Sequence, residues 1–170
     1  DITEQRENLI KLFYQEIENV DFKEALKALG ERVGVSLTGG ISSFDSRYSK
    51  YYEIYDLSSK FYQLMLNTDS GKDAKEYLKK RGIDDETIKE FGIGLAPNEK
   101  NKLVSYLQKK NYDSNTLSDL WLLNGEVDTF INRIMFPLYD LNGKVIGYNG
   151  RVYNGEKENK YINSKEFMNF

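Results

Sequence analysis

Apolar residues recur three and four positions apart along most of this chain and give way to short β-prone runs only after residue 129. In residues 4–18, Leu9, Ile10, Phe13 and Ile17 share one helical face. Asp21, with Glu24 three residues on, forms a capping-box pattern, and Phe22, Ala25, Leu26 and Leu29 follow at helical spacing toward Gly34. The pattern predicts a helical hairpin over residues 1–37, with stripes too small to make a core of their own. Residues 38–50, "TGGISSFDSRYSK", hold Gly and Ser without a period and read as a linker. A flexible tether of that length reaches roughly 20 Å, enough for its two flanks to move apart.

A second unit is expected over residues 51–170. Ile54, Leu57, Phe61, Leu64 and Met65 mark an amphipathic helix. Asp69 or Ser70 can cap the next, which carries Lys79, Lys80 and Arg81 in its last turn and stops at Gly82. Asp84 or Asp85 opens a short helix through Phe91, and "GIGLAP" is a brief extended piece ended by Pro97. Further helices fit residues 100–110 and 116–123, with a turn at Asn124-Gly125. Then "RIMFPLYDLNGKVIGYNGRVY" (133–153) places two β-prone runs around Asp140-Leu141-Asn142-Gly143, where Asn-Gly signals a hairpin. Pro137 favours an edge position or a strand end, while Gly147 and Gly150 suggest a bulge or a close backbone approach. The expected class is α+β: a helical subdomain with a small antiparallel β-hairpin or sheet, preceded by the helical hairpin.

Composition narrows the chemistry. The chain has no Cys and no His, which removes disulfides, thiol nucleophiles, Ser-His-Asp triads and nearly all structural zinc sites. No apolar run approaches the roughly 20 residues of a membrane span, and the charged opening "DITEQRENLIK" is no signal peptide, so a cytoplasmic protein is expected. The net charge of −3 gives no global signal for nucleic acid. Its distribution does: only residues 132–170 are net positive, with 6 basic and 4 acidic side chains.

That positive segment contains the candidate site. On a regular strand Val145, Gly147, Asn149 and Arg151 share a face, and the glycines leave a shallow floor. Arg151 at its rim is placed to hold a phosphate with a bidentate fork, and Lys160 and Tyr161 would add a phosphate contact and a stacking ring. A plain surface hairpin with scattered cations fits the same residues. Arg133 opens the first strand, either to contact DNA or to cap Asp128 or Asp140. Arg81 suits the dipole at a helix end. The acidic run "IDDET" (83–87) reads as helix capping in preference to a metal site. No catalytic residue and no metal ligand is assigned.

Three stretches, "YLKKRGIDDETIKEFGIGLAP" (77–97), "NRIMFPLYDLNGKVIGYNGRV" (132–152) and "KYINSKEFMNF" (160–170), resemble successive motifs of bacterial DnaG-type DNA primases. They match the N-terminal subdomain of the RNA-polymerase core, and residues 19–37 are similar to the helical tail of the zinc-binding domain before it. The family's Gly-Gly-Arg stands here as Asn149-Gly150-Arg151, and its Asn-Ser-Pro-Glu-Thr as Asn163-Ser164-Lys165-Glu166-Phe167. The resemblance implies part of a DNA-directed RNA polymerase that makes short RNA primers on single-stranded DNA from ribonucleoside triphosphates. It implies Mg or Mn in a TOPRIM half and Zn in a ribbon, both missing from this chain, and a replicative helicase partner reached through an absent C-terminal domain. The fragment alone is expected to be inactive. Arg81 and Arg151 match basic positions implicated in template or nucleotide handling; Arg133, Lys160, Tyr161, Asn163 and Ser164 match motif residues around them. The alternative is a stand-alone module, non-catalytic, that binds single strands or another protein.

Overall fold

The computed structural model describes residues 41–154 and 160–164, with only the backbone for 41–45. The predicted helical hairpin of residues 1–37 and the Lys165-Glu166-Phe167 variation lie outside the described residues. Two compact units divide the chain, residues 1–47 and 48–170. In the first, the described residues are the opening turns of helix α1 (Ile41–Leu66). The expected linker is therefore helical from Ile41 onward. Its serines and charged residues hid the helix from any periodicity reading.

Within the second unit, α1 is followed by α2 (Lys72–Lys80), α3 (Asp85–Glu90), β1 (Gly94–Ala96), α4 (Lys102–Gln108) and α5 (Ser114–Asp119). The strand pair β2 (Leu123–Asn124) and β3 (Val127–Asp128) comes next, then β4 (Arg133–Tyr139), β5 (Val145–Arg151) and β6 (Tyr161–Asn163). The main sheet is antiparallel in the order β1-β4-β5-β6. The architecture is α+β, as the sequence pattern implies.

The helices start and stop where side chains dictate. Asp84 caps α3 by accepting the Thr87 N–H at 2.8 Å, and Asp113 caps α5 through Thr116 at 2.9 Å. Helix α4 lacks a cap from its own preceding residue. Asp128, reaching over from β3, accepts the Leu103 and Val104 N–H groups at 2.9 Å each. Neither Asp69 nor Ser70 caps α2; Gly71 stands at its start, because a Cβ there would lie 2.0 Å from the Leu66 carbonyl oxygen.

Each face of the sheet covers an apolar core. On one side α1 lays Tyr51, Ile54, Tyr55, Phe61 and Tyr62 against Met135 and Tyr148, with Leu103, Leu107, Leu117 and Leu120 closing the far side. The buried stripe of α1 is thus largely tyrosine, while Leu64, predicted to face inward, is exposed. The Tyr148 hydroxyl donates to the Tyr55 carbonyl at 2.6 Å and lies 2.7 Å from the Ser59 hydroxyl. Strand β1 presses so close to α1 that a Cβ on Gly94 would sit 2.5 Å from that of Tyr62. On the other side Leu66, Ala74, Leu78, Ile88, Ile93, Leu95 and Ile134 make a smaller core under α2 and α3.

The hairpin forms where predicted, with a register shift at Leu138/Tyr139 that leaves Ile146 as the extra residue, beside Gly147. Pro137 is in an interior strand, yet β1 pairs only with Arg133 to Met135, so β4 is locally an edge at the proline. The turn is locked by Asp140, whose Oδ1 accepts from the Asn142 and Lys144 N–H groups while Oδ2 accepts from the Tyr52 hydroxyl.

Candidate nucleic-acid interface

Strand register decides which side chains meet. One row across the sheet reads Leu95, Ile134, Arg151, Tyr161, and the next row on that face reads Phe136, Asn149, Asn163. Leu95 and Ile134 are sealed beneath α2 and α3, whereas Tyr161 at the outer strand is 50% exposed. The sheet is wider than the helices that cover it. Arg151 lies at the boundary, half-buried, where the apolar cover ends and solvent begins.

Helix α2 contributes the other half of the site. Its C-cap residue Arg81 donates its backbone N–H to the carbonyls of Leu78 and Lys79, which fixes the last turn. One turn back, Tyr77 turns its ring toward the sheet. The Arg81 guanidinium lies 5.0 Å from that ring's centroid and the Arg151 guanidinium 5.6 Å from it. Arg151 also lies 5.1 Å from the Tyr161 ring. The result is a ladder of alternating cations and rings: Arg81, Tyr77, Arg151, Tyr161. Tyr153 braces it from below, its ring 6.3 Å from that of Tyr77 and its hydroxyl donating to Asn132 Oδ1 at 3.1 Å.

Among the described residues neither Arg81 nor Arg151 has a carboxylate within ion-pair distance. The Arg151 Nε is shielded from solvent and has no hydrogen-bond partner among them. Two like charges sharing one ring repel, and among the described residues no carboxylate pairs with either to offset the repulsion. An anion settling over the pair would relieve it, and a phosphate matches the fork geometry of arginine. The exposed Tyr161 ring beside them can take a base on its outer face.

The expected site residues separate into two groups. Arg81, Arg151, Tyr161 and Asn163 come together on this face, with Asn149 donating its side-chain amide to Asn163 Oδ1 at 2.5 Å. Lys160 is exposed next to Tyr161, its carbonyl accepting from the Val152 N–H at 3.1 Å. Arg133 and Ser164 are not brought to the face. Arg133 is 9% exposed, donates from Nη1 to the Gly150 carbonyl at 3.3 Å and packs on the opposite side of the sheet. Asp140, one of its two expected partners, is beyond the far end of β4. Ser164 is 7% exposed, and its Oγ accepts the Tyr148 N–H at 2.6 Å, so it ties β6 to β5.

The glycine floor is also revised. A Cβ on Gly150 would lie 2.7 Å from a Phe130 ring carbon and 3.2 Å from Arg133 Cδ, so Gly150 faces the core and keeps those side chains in place. Tyr77 is not among the residues the sequence pattern assigns to the site. Its position four residues before Arg81 on a helix, which puts both on one face, was the available signal.

Residues 61–170 match the family model of the DNA primase catalytic core, N-terminal domain. The chain belongs to the bacterial DNA primases. It is 40% identical over 167 residues to the DNA primase of Staphylococcus aureus strain MW2, covering 91% of this chain and 27% of that relative. The chain thus spans about a quarter of the length of the curated primases it matches. Among solved structures, the DnaG primase catalytic domain bound to ssDNA superposes with a TM-score of 0.68 at 33% identity, over 72% of this chain and 41% of that one. The Aquifex aeolicus primase, with its zinc-binding and RNA polymerase domains, gives 0.60 at 31% identity, over 88% and 36%. In this primase chain no three acidic side chains among the described residues converge as metal ligands, and His and Cys are absent altogether.

Proposed function

We propose that this chain forms the template-holding wall of a DNA primase, a DNA-directed RNA polymerase that makes short RNA primers. Single-stranded DNA lies along the open end of the sheet. Arg81 and Arg151 take its phosphates, Tyr161 stacks a base, and Lys160 and Asn163 border the track. The observation that carries this reading is the pair of guanidiniums over one tyrosine ring, without an acidic partner among the described residues, at the solvent edge of the sheet. That a family relative was solved bound to ssDNA supports it. Nucleotidyl transfer from ribonucleoside triphosphates belongs in this proposal to Mg or Mn held by the TOPRIM half, and zinc and helicase contacts to further domains of the whole protein. This chain alone then binds the template without extending a primer.

Fluorescence anisotropy with a labelled oligodeoxythymidylate tests the assignment. Affinity should fall steeply with salt, as for any phosphate-dominated contact. Arg151→Ala should bind about tenfold more weakly and lower the slope of log K against log salt by about 0.7, the loss of one phosphate contact on a single strand. An Arg151→Ala protein with unchanged affinity and slope refutes the groove.

A further inference from the structure

We infer that Tyr77 is the positioning residue of this site: it touches both arginines and sets the spacing at which they meet a phosphate backbone. The inference rests on the single-strand reading above and names the group on which the two cations depend. Arginine side chains are long and lose much rotamer freedom when fixed. At the end of α2 nothing acidic among the described residues holds Arg81, and Arg151 likewise lacks an ion pair. What both share is one ring. Its electron-rich faces attract guanidinium groups, more strongly where water is partly excluded, and Arg151 is half-buried with its Nε out of solvent. The distances of 5.0 Å and 5.6 Å cap the separation of the two guanidinium carbons at their total, so both charges stay within reach of one short stretch of backbone.

The ring is itself fixed. Tyr77 packs on the small core under α2 and meets Tyr153, whose hydroxyl is anchored on Asn132. Rigid support of this kind is what a binding constellation requires, since ordering two free arginines on contact would subtract from affinity. Tyr77 therefore links the fold to the site: the helix that covers the apolar half of the sheet also carries the ring that organises the charged half. Its hydroxyl is dispensable in this account, and its ring face is not.

The test separates ring face from bulk. Tyr77→Phe should bind the labelled oligodeoxythymidylate within about twofold of the parent. Tyr77→Leu, which keeps an apolar side chain on the core, should bind about fivefold more weakly with a shallower salt slope. Because leucine also changes the packing under α2, phenylalanines with increasing numbers of ring fluorines are placed at residue 77. These hold the shape while draining negative potential from the ring face, and affinity should fall stepwise with fluorine count. Equal affinity across the fluorinated series overturns the positioning role. If Arg151→Ala still weakens binding in that case, the single-strand reading stands without Tyr77; if it does not, both fall.

Discussion

Asp128 joins the two-stranded β2-β3 ribbon to helix α4, and replacing it with asparagine probes that joint. The carboxylate is 3% exposed and accepts two backbone N–H groups at the start of α4. Burial outweighs those hydrogen bonds and raises its pKa from 3.8 to about 6. The folded state thus binds a proton more readily than the unfolded chain between those values. In that window stability falls as pH rises, because the unfolded carboxyl ionises first. A shift of about two units at 1.36 kcal/mol per unit, with the unfolded carboxyl already partly ionised at pH 4, sets the loss at about 2.5 kcal/mol between pH 4 and pH 7. The amide introduced by Asp128→Asn would not titrate. It would keep one acceptor and turn its NH2 toward the second N–H, a fixed cost of about 1–3 kcal/mol at every pH. Urea melts of both proteins across pH 4–7 measure the difference between them. Asp113 and Asp84, held below the usual carboxylate range by their Thr116 and Thr87 caps, titrate alike in both and cancel. The parent's advantage over Asp128→Asn should shrink by about 2.5 kcal/mol as pH rises from 4 to 7. A difference that stays level, or grows with pH, refutes the claim that burial dominates at this carboxylate.

Two further outcomes follow from packing. Gly150→Ala places a methyl 2.7 Å from the Phe130 ring and should cost about 1–3 kcal/mol in denaturant melts, with Phe130→Leu recovering part of the loss in the double variant. Tyr148→Phe deletes the hydroxyl shared between the Tyr55 carbonyl and Ser59 inside the larger core, and should lower stability by about 1–2 kcal/mol while leaving single-strand affinity within about twofold, since Tyr148 faces away from Arg151.

Some helix ends and turns were legible because single residues encode them: Asp84 as a cap, Asn142-Gly143 as the hairpin turn. The Asp113 cap, which starts its helix two residues before the apolar spacing suggests, was not legible. The first ten residues of α1 were not, because serine, aspartate and arginine give no apolar period, and a helix can continue through them when its later turns are packed. The inner stripe of α1 was legible at Ile54, Leu57, Phe61 and Met65 but not at its tyrosines, for a related reason. Tyrosine reads as a surface residue by polarity, yet the phenol of Tyr55 finds the Leu120 carbonyl and that of Tyr148 finds the Tyr55 carbonyl, so the rings can be buried.

The two hairpin arginines show where residue-level reading stops. Arg133 opens β4 and Arg151 closes β5, and in the sequence they are equivalent ends of one ribbon. In the sheet, Arg151 pairs opposite Ile134, one residue beyond Arg133. Strand side chains alternate faces, so that one-residue offset sends the two guanidiniums to opposite sides of the sheet. Arg133 enters the face filled by Phe130 and the Gly150 backbone; Arg151 emerges where α2 ends and Tyr77 waits. The offset is set by the pairing that runs from Leu138 and Gly147 to Ile134 and Arg151, which the hydrophobic pattern does not encode. Deleting Ile146 should leave the placement of Arg151 intact. With the extra residue gone, Tyr139 still pairs with Val145 and Leu138 with Gly147, so Arg151 stays opposite Ile134; single-strand affinity should stay within about twofold of the parent, while loss of the buried Ile146 side chain lowers stability by about 1–3 kcal/mol. A deletion variant that folds but loses most of its affinity would show that register is not what places Arg151 at the site.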